Sequence, residues 1–342
     1  MLQSRSARGL CRLFALLAYL ALGGVAAQAA SVHLLHIPGG GNGLGFDDLG
    51  FSPTLDRVLV PAARTGALVL VNPADDALQV LAHVVPGGSG QDRDDAGTTS
   101  ADYGAGLLFA SDHADRAIVA ISPRTGQVVV RAELAFGPDY VRYVAPLHEV
   151  WVTEPRGRQI QRFSVAAGRV PRLRAVGSIA VPGGPESLVI DPARGVAYTN
   201  QWKNRTEEIG LRTLKVQAAW DNSCTGSRGL ALATGPHLLF VGCREGKVVA
   251  LDPADHGRVV ASAEVGRGVD IIAWNPLLRH VYAPGAVSAT LSVLELTADN
   301  RLVDVATVAA AAHSHCVVTD GRHTAYVCDP AAGALIVYRD TR

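Results

Sequence analysis

The sequence has little charge and no excess of either sign. Charged residues make up 18% of the 342, and 31 lysines and arginines match 31 aspartates and glutamates. This balance disfavours binding to nucleic acid or to an acidic membrane surface. Hydrophobic residues make up 48%, with 36 glycines and 18 prolines. That composition excludes disordered, coiled-coil and collagen-like chains and indicates a folded, turn-rich protein.

Motifs for several common chemistries are missing. The sequence has no CxxC and no CxxCH, which argues against thioredoxin chemistry, covalent c-type haem and a thiolate zinc site. It has neither a GxSxG nucleophile elbow nor a GxGxxG that follows a strand and opens a helix. The glycine-rich stretch 39–45 is better explained as a flexible connector than as a phosphate-binding loop. The motifs therefore identify no catalytic constellation.

Long apolar runs are missing outside the N-terminus. There, three arginines accompany an apolar stretch at residues 13–22, which is too short to span a bilayer. A small-x-small cleavage site follows at Ala27 and Ala29. This pattern predicts a signal peptide over residues 1–30 and a periplasmic or secreted chain without a membrane span after cleavage.

Cysteine is scarce, and the mature chain keeps it in two local pairs, Cys224 with Cys243 and Cys316 with Cys328. An even number in an exported chain favours disulfides over free thiols. Cys316 and Cys328 are equidistant from a turn near Arg322, so we expect them to face each other across a hairpin and form a bond.

A repeat of 42–50 residues runs through the mature chain. Its marker is a bulky apolar or aromatic residue inside a strand-like run, and seven copies occur at spacings of 50, 42, 47, 42, 42 and 44 residues. The long first interval contains a polar, glycine-rich insert around residues 87–95. A period of this length is typical of propellers. The markers are Leu59, Phe109, Trp151, Tyr198, Phe240, Tyr282 and Tyr326.

Each repeat contains four short strand-like runs. The last two are clearest at residues 68–84, 117–133 and 247–265, where β-branched runs flank a Pro or Gly turn. Four strands per unit without helical periodicity predict an all-β fold, a seven-bladed β-propeller forming a single domain over residues 31–342. The last unit has only three strands before the chain ends. The run at residues 32–36 is therefore predicted to complete that blade and close the ring.

The repeats resemble those of the bacterial YVTN-repeat propellers. The resemblance is carried by residues 196–200 (VAYTN), 150–153 (VWVT) and 248–266, and it covers essentially the whole mature chain. The segment 224–243 is similar to a paired-cysteine blade in members of that family, and there the bond would join the loop entering blade 5 to the end of its second strand. The resemblance implies a seven-bladed fold, while the family's functions are diverse.

Candidate site residues lie where the inner strand of each blade is expected to begin. In a propeller these positions surround the mouth of the central channel. Acidic side chains are frequent among them, which indicates a site for a cation or a polar ligand; the alternative is that the charges cap strand ends and bind channel water. The positions are Asp47, Gly97, Asp139, Glu186, Arg228, Asp270 and Ser314, with Tyr140, Arg142 and His315 adjacent and Trp202 as an aromatic contact in a neighbouring loop.

Three functional hypotheses follow. The first is a monomeric, non-enzymatic binding or scaffold protein that holds a small ligand or a periplasmic protein on its channel face. The family resemblance adds an accessory role in a periplasmic quinoprotein dehydrogenase system. The second is a lactonase-like hydrolase or lyase with a divalent metal such as Ca²⁺ on the acidic ring, which Arg228 would oppose.

The third hypothesis is a zinc- or copper-binding protein. His313 and His315 are two residues apart, so on a strand they would share a face and bind a soft metal with a cysteine. The alternative is the Cys316–Cys328 disulfide, which leaves both histidines exposed in a loop.

Overall fold

The computed structural model describes residues 31–87, 97–168 and 170–341. Over these residues the chain forms seven four-stranded sheets, and each strand pairs with its neighbours in antiparallel fashion. The predicted seven-bladed β-propeller is confirmed. The predicted signal peptide and most of the polar insert lie outside the described residues. In the described chain, no helix has the length and apolar character needed to cross a membrane.

The chain begins with an isolated strand and then builds blades 1 to 3 from consecutive strands. These are β1 (Ser31–His36); β2 (Gly50–Ser52), β3 (Arg57–Pro61), β4 (Leu68–Val71) and β5 (Leu78–Leu81) in blade 1; β6 (Ala101–Gly104), β7 (Leu107–Asp112), β8 (Ala117–Ile121) and β9 (Val128–Glu133) in blade 2; and β10 (Val141–Val144), β11 (Glu149–Glu154), β12 (Gln159–Ala166) and β13 (Arg172–Ala180) in blade 3.

Blades 4 to 6 continue in the same way, and blade 7 recruits β1. They consist of β14 (Glu186–Asp191), β15 (Val196–Gln201), β16 (Arg205–Gly210) and β17 (Lys215–Asp221) in blade 4; β18 (Ser227–Ala233), β19 (Leu238–Cys243), β20 (Lys247–Asp252) and β21 (Arg258–Glu264) in blade 5; β22 (Ala273–Asn275), β23 (His280–Gly285), β24 (Thr290–Leu296) and β25 (Leu302–Ala309) in blade 6; and β26 (Val317–Thr319), β27 (Thr324–Asp329), β28 (Ala334–Arg339) and β1 in blade 7.

Short 3-10 helices replace simple turns at Ala145–Leu147, Pro155–Gly157 and Pro253–Asp255. Each has a proline at its first or second position, where the fixed φ of proline suits the start of a helix. Each ends at a residue in the left-handed conformation, which stops the helix and returns the chain to a strand.

The strand sequences reflect their position between neighbouring blades. Every residue of β7 and β8 is buried, because both faces of these middle strands pack against adjacent blades. The outer strand β9 is mostly exposed. All seven repeat markers lie on the second strand of their blades and are at most 1% exposed. The sequence repeat therefore arises because each second strand packs between neighbouring blades in the same way.

Ring closure follows the predicted route. The inner strands contact one another in chain order from β2 to β26, and β26 contacts β2. Strand β1 pairs with β28 from Ser31 opposite Arg339 to His36 opposite Ala334. Asp76 of blade 1 reinforces this junction, because it lies 3.0 Å from His33 Nε2 and accepts a hydrogen bond from Arg339 at 3.1 Å.

The glycine-rich connector after β1 packs tightly against blade 7. A Cβ on Gly40 would lie 2.5 Å from the carbonyl oxygen of Gly333, so no larger residue fits without movement of the backbone. The amide of Leu44 donates to the carbonyl of Pro330 at 2.8 Å. The connector therefore holds the first and last blades together, which explains its glycines by close packing.

The predicted cysteine pairing is confirmed. Cys316, just before β26, is bonded to Cys328 in β27, with Cα atoms 5.6 Å apart. Cys224, in the loop between blades 4 and 5, is bonded to Cys243 at the end of β19, with Cα atoms 5.4 Å apart. Two disulfides in the described residues suit an oxidising environment.

We expect deletion of residues 31–38 to lower the melting temperature by about 10 °C. The deletion removes a six-residue ladder, worth about 1 kcal/mol per hydrogen bond, and exposes the edge of β28. Thermal unfolding followed by circular dichroism measures the effect. The single variant H33A is the control, since it removes only the contact with Asp76 and should change little. A truncated chain as stable as the wild type would contradict the closure.

The two disulfides should differ in their effect on stability. In the chain-entropy model each short loop contributes about 3 kcal/mol to the free energy of unfolding. The C316A/C328A variant should lose the most, because blade 7 takes its strands from both ends of the chain and is held by strand pairing alone once the bond is removed. The C224A/C243A variant is the control, since it lies in a blade of consecutive strands. Urea unfolding compares the two, and equal losses would contradict a special role for the closing blade.

Candidate functional site

The predicted site positions lie at the beginning of inner strands. Asp139 is two residues before β10, Glu186 begins β14 and Asp270 lies three residues before β22. Trp202 belongs to the loop between β15 and β16, the second and third strands of blade 4. The loops that precede the inner strands and the loops that join the second and third strands line the same cavities. We call this side of the ring the entry face.

An acidic pocket of about 570 Å³ lies on the entry face. Six of the nine predicted ligand-binding residues line it, drawn from blades 1, 3, 4 and 6 or the loops before them. Carboxylates and aromatic rings make up most of the pocket lining. Phe136 contributes a further ring, and Arg116 and Arg156 contribute positive charge. The six predicted residues are Asp47, Asp139, Tyr140, Glu186, Trp202 and Asp270.

Burial and neighbouring charges raise the pKa of three of the pocket carboxyls. Burial, then the charges of Glu186 and Asp47, raise the pKa of Asp139 well above its usual range. Burial and the charge of Asp270 raise the pKa of Glu186 to about 7. Burial also raises the pKa of Asp270, against the opposing charges of His315 and Arg228. Each carboxylate is thus disfavoured by its surroundings, and a bound cation would relieve this cost.

Arg142 is paired with Asp48, and neither residue lines the pocket. Its Nη2 donates to Asp48 Oδ1 at 2.9 Å, and its guanidinium lies 5.2 Å from the centre of the Tyr140 ring. Asp48 also accepts a hydrogen bond from Ser100 Oγ at 2.6 Å. Asp102 also interacts with Arg142. Burial raises the pKa of the Asp102 carboxyl, and the charge of Arg142 opposes that rise. Arg142 therefore supports the pocket wall through Tyr140.

His315 lies between two backbone carbonyl groups. Its Nδ1 is 2.7 Å from the oxygen of His313, and its Nε2 is 2.8 Å from the oxygen of Phe46. Both ring nitrogens therefore face backbone carbonyl groups rather than an open ligand position. The ring therefore links the loops that enter blades 7 and 1.

The soft-metal hypothesis is not favoured by these contacts. The metal-ligating side chains grouped around His315 are Cys316 and Cys328, and these two are bonded to each other. His313 is exposed and contributes its backbone carbonyl to the His315 ring. The geometry matches the disulfide alternative for this segment.

The pocket carboxylates are spread around the cavity. In the part of the chain that the structure describes, groups of three metal-ligating side chains with donor atoms within 4.8 Å of one another occur only at the two disulfides. Ca²⁺ takes six to eight oxygen ligands at 2.3–2.6 Å, which demands a compact cage. The spacing of the carboxylates therefore suits an extended cation better than a small ion held by all of them.

Arg228 lies beside the acidic pocket in a second cavity. Its guanidinium is 5.7 Å from the centre of the Trp202 ring, and the indole nitrogen of Trp202 donates to the carboxylate of Glu186. Trp202 lines both cavities. Arg228 thus lies across the Trp202 ring from the acidic pocket, and its charge still acts on the pocket, because it opposes the rise in the pKa of Glu186 and Asp270.

Several charged residues of the entry face were missed by sequence reasoning. Arg116, Arg156 and Arg244 all lie in loops between the second and third strands of their blades, the loop class that also contains Trp202. The sequence prediction was based on inner-strand positions, so it did not include these arginines. The signal that could have identified them was their position a few residues after each repeat marker.

Removing the Arg142 side chain should destabilise the protein by about 3–5 kcal/mol, the usual cost of breaking a buried pair. R142A removes the cation that lies next to the carboxyl groups of Asp48 and Asp102. Urea unfolding measures the loss. R258A, which removes an exposed pair on an outer turn, is the control and should leave stability unchanged. An R142A variant as stable as the control would show that the pair does not support this wall.

Comparisons with known proteins identify the fold. A scan against protein-family models finds no match, and a search of curated proteins finds none either. Among solved structures the chain is similar to a chain of the mitotic checkpoint complex, with a TM-score of 0.72 and 12% identity over 98% of each chain. It is also similar to a streptogramin B lyase, with a TM-score of 0.69 and 11% identity over 91% of this chain and 97% of that one.

A third similar structure is a catalytically inactive virginiamycin B lyase from Staphylococcus aureus with quinupristin, with a TM-score of 0.67 and 12% identity over 91% of this chain and 99% of that one. At these identities the similarities show a shared propeller fold, on which different functions are built.

Proposed function

We propose that this chain is an exported binding protein whose acidic pocket holds a small organic cation, in its simplest form a primary amine. The observation that carries the proposal is the convergence of four carboxyl groups on one cavity, with the pKa of Asp139, Glu186 and Asp270 raised by burial and, for the first two, by neighbouring carboxylates. A cation in the cavity would stabilise the charged form of each.

The aromatic side chains support an organic ligand. Trp202 and Phe136 are 54% and 43% exposed, and both line the pocket together with the Tyr140 ring. Aromatic faces attract cations that have lost their water, and they also pack against an alkyl chain. Together with the wide spacing of the carboxylates, these rings favour an alkylammonium group over Ca²⁺.

The cellular context rests on the sequence and on the cysteines. The N-terminal pattern supports export, and the two disulfides are compatible with an oxidising compartment. We assign the chain to the YVTN-repeat propellers on the strength of its repeat motifs, and an accessory role to a periplasmic dehydrogenase would follow from that assignment alone.

A second candidate function is that of a lyase or hydrolase. It is favoured by the pKa of Glu186, which burial raises to about 7, the range in which a carboxyl group serves as a general acid or base near neutral pH. Conversion of an amine probe into a new species by the wild type, detected by mass spectrometry and lost in E186Q, would favour this candidate over binding alone.

The binding proposal predicts a specific pH dependence. Deprotonation of Glu186 supplies negative charge for the cation, so n-hexylamine should bind more tightly as the pH rises through about 7. Titration calorimetry at pH 5.5, 7 and 8.5 tests this, because the amine stays protonated throughout. In E186Q, affinity at pH 8.5 should fall about 10-fold and the pH dependence should flatten.

The control is E264Q, which alters an exposed carboxylate on the outer strand β21 and should bind as the wild type does. No detectable binding of n-hexylamine to the wild type, or equal binding to E186Q at pH 8.5, would overturn the proposed function.

A further inference from the structure

A second cavity of about 470 Å³ lies beside the acidic pocket on the entry face. Three arginines of blade 5 and the loops around it line this cavity. Arg228 is the second residue of the inner strand of blade 5, Arg244 follows its second strand, and Arg267 lies in the loop to blade 6. We call this cavity the arginine groove.

The positive charge of the arginine groove is only partly neutralised. None of the ion pairs in the described chain includes its three arginines, although the charges of Arg228 and Arg244 act on Asp270 of the acidic pocket. The carboxylate of the groove, Glu245, accepts hydrogen bonds from the backbone amides of Thr225 at 2.8 Å and Gly226 at 3.2 Å. Glu245 thus holds the loop in place, and the three guanidinium groups leave the groove with net positive charge.

The two cavities share the indole of Trp202. Its nitrogen donates a hydrogen bond to Glu186 of the acidic pocket, and its ring makes a cation–π contact with the Arg228 guanidinium of the arginine groove. Negative and positive regions therefore adjoin across one exposed aromatic side chain, on a protein without net charge. A molecule that lies along Trp202 would reach both.

We propose that the ligand is dipolar, with its cationic end in the acidic pocket and a carboxylate at the other end in the arginine groove. This inference rests on the proposed function and adds the chemical class: an amino acid derivative or short peptide with separated ammonium and carboxylate groups. Guanidinium groups bind carboxylates through paired, charge-assisted hydrogen bonds. Because one molecule then fills both cavities, each end raises the effective concentration of the other.

Three probes of equal carbon number test the inference by titration calorimetry at pH 8.5 and fixed ionic strength. They are n-hexylamine, with the ammonium group alone, hexanoate, with the carboxylate alone, and ε-aminocaproate, with both. We expect ε-aminocaproate to bind the wild type about 10-fold more tightly than n-hexylamine. In R244Q/R267Q this advantage should disappear while binding of n-hexylamine is kept.

The matched control is R258Q/R301Q, which changes two arginines on outer turns that are paired with Asp255 and Asp299. It should keep the full advantage of ε-aminocaproate. Both double variants change exposed side chains, so unchanged melting temperatures confirm that they fold.

The outcomes separate this inference from the function on which it rests. If n-hexylamine binds but ε-aminocaproate gains nothing, or if its gain survives in R244Q/R267Q, the dipolar ligand is wrong and the cation pocket stands. If neither amine binds, both proposals are overturned. Binding of hexanoate alone, lost in R244Q/R267Q, would also overturn both, leaving an anion site.

Discussion

Pairing of β1 with β28 is the contact on which the whole ring depends. It joins the two ends of the chain within blade 7, while Asp76 reinforces the junction at its outer edge and His315 bridges to Phe46 near the channel. The acidic pocket draws its carboxylates from blades on several sides of the ring. Their distances are set only when the first and last blades are fixed relative to each other.

Asp139, Glu186 and Asp270 line one cavity although burial and, for the first two, neighbouring carboxylates raise the pKa of each. The apolar packing beneath them makes this possible: Leu188 and Ile271 are buried next to the inner-strand ends and belong to the same core cluster as Tyr140. Part of the stability gained by packing is thus offset by the burial of several carboxyl groups around one cavity, an arrangement that is frequent at functional sites.

The sequence predicted what is periodic and missed what is long-range. Markers such as Phe109 and Tyr282 recur because each middle strand packs between two blades, and this constraint repeats around the ring. The partner of Arg142 is Asp48, 94 residues away, and the partner of His315 is the carbonyl of Phe46, 269 residues away. No local pattern encodes those pairings, since they exist only once the ring is closed. For that reason the sequence could name Arg142 and His315 as candidates but could not identify the residues that hold them in place.

Trp202 explains why opposite charges remain available on one face. Without it, the carboxylate of Glu186 and the guanidinium of Arg228 would be free to approach and form an ion pair, as the Arg142–Asp48 pair does nearby. Instead the indole donates to the first and lies beside the second, so the two charged groups stay on opposite sides of the ring. An exposed tryptophan costs hydrophobic stability, and its position is understandable if a ligand covers the ring and neutralises both neighbours at once.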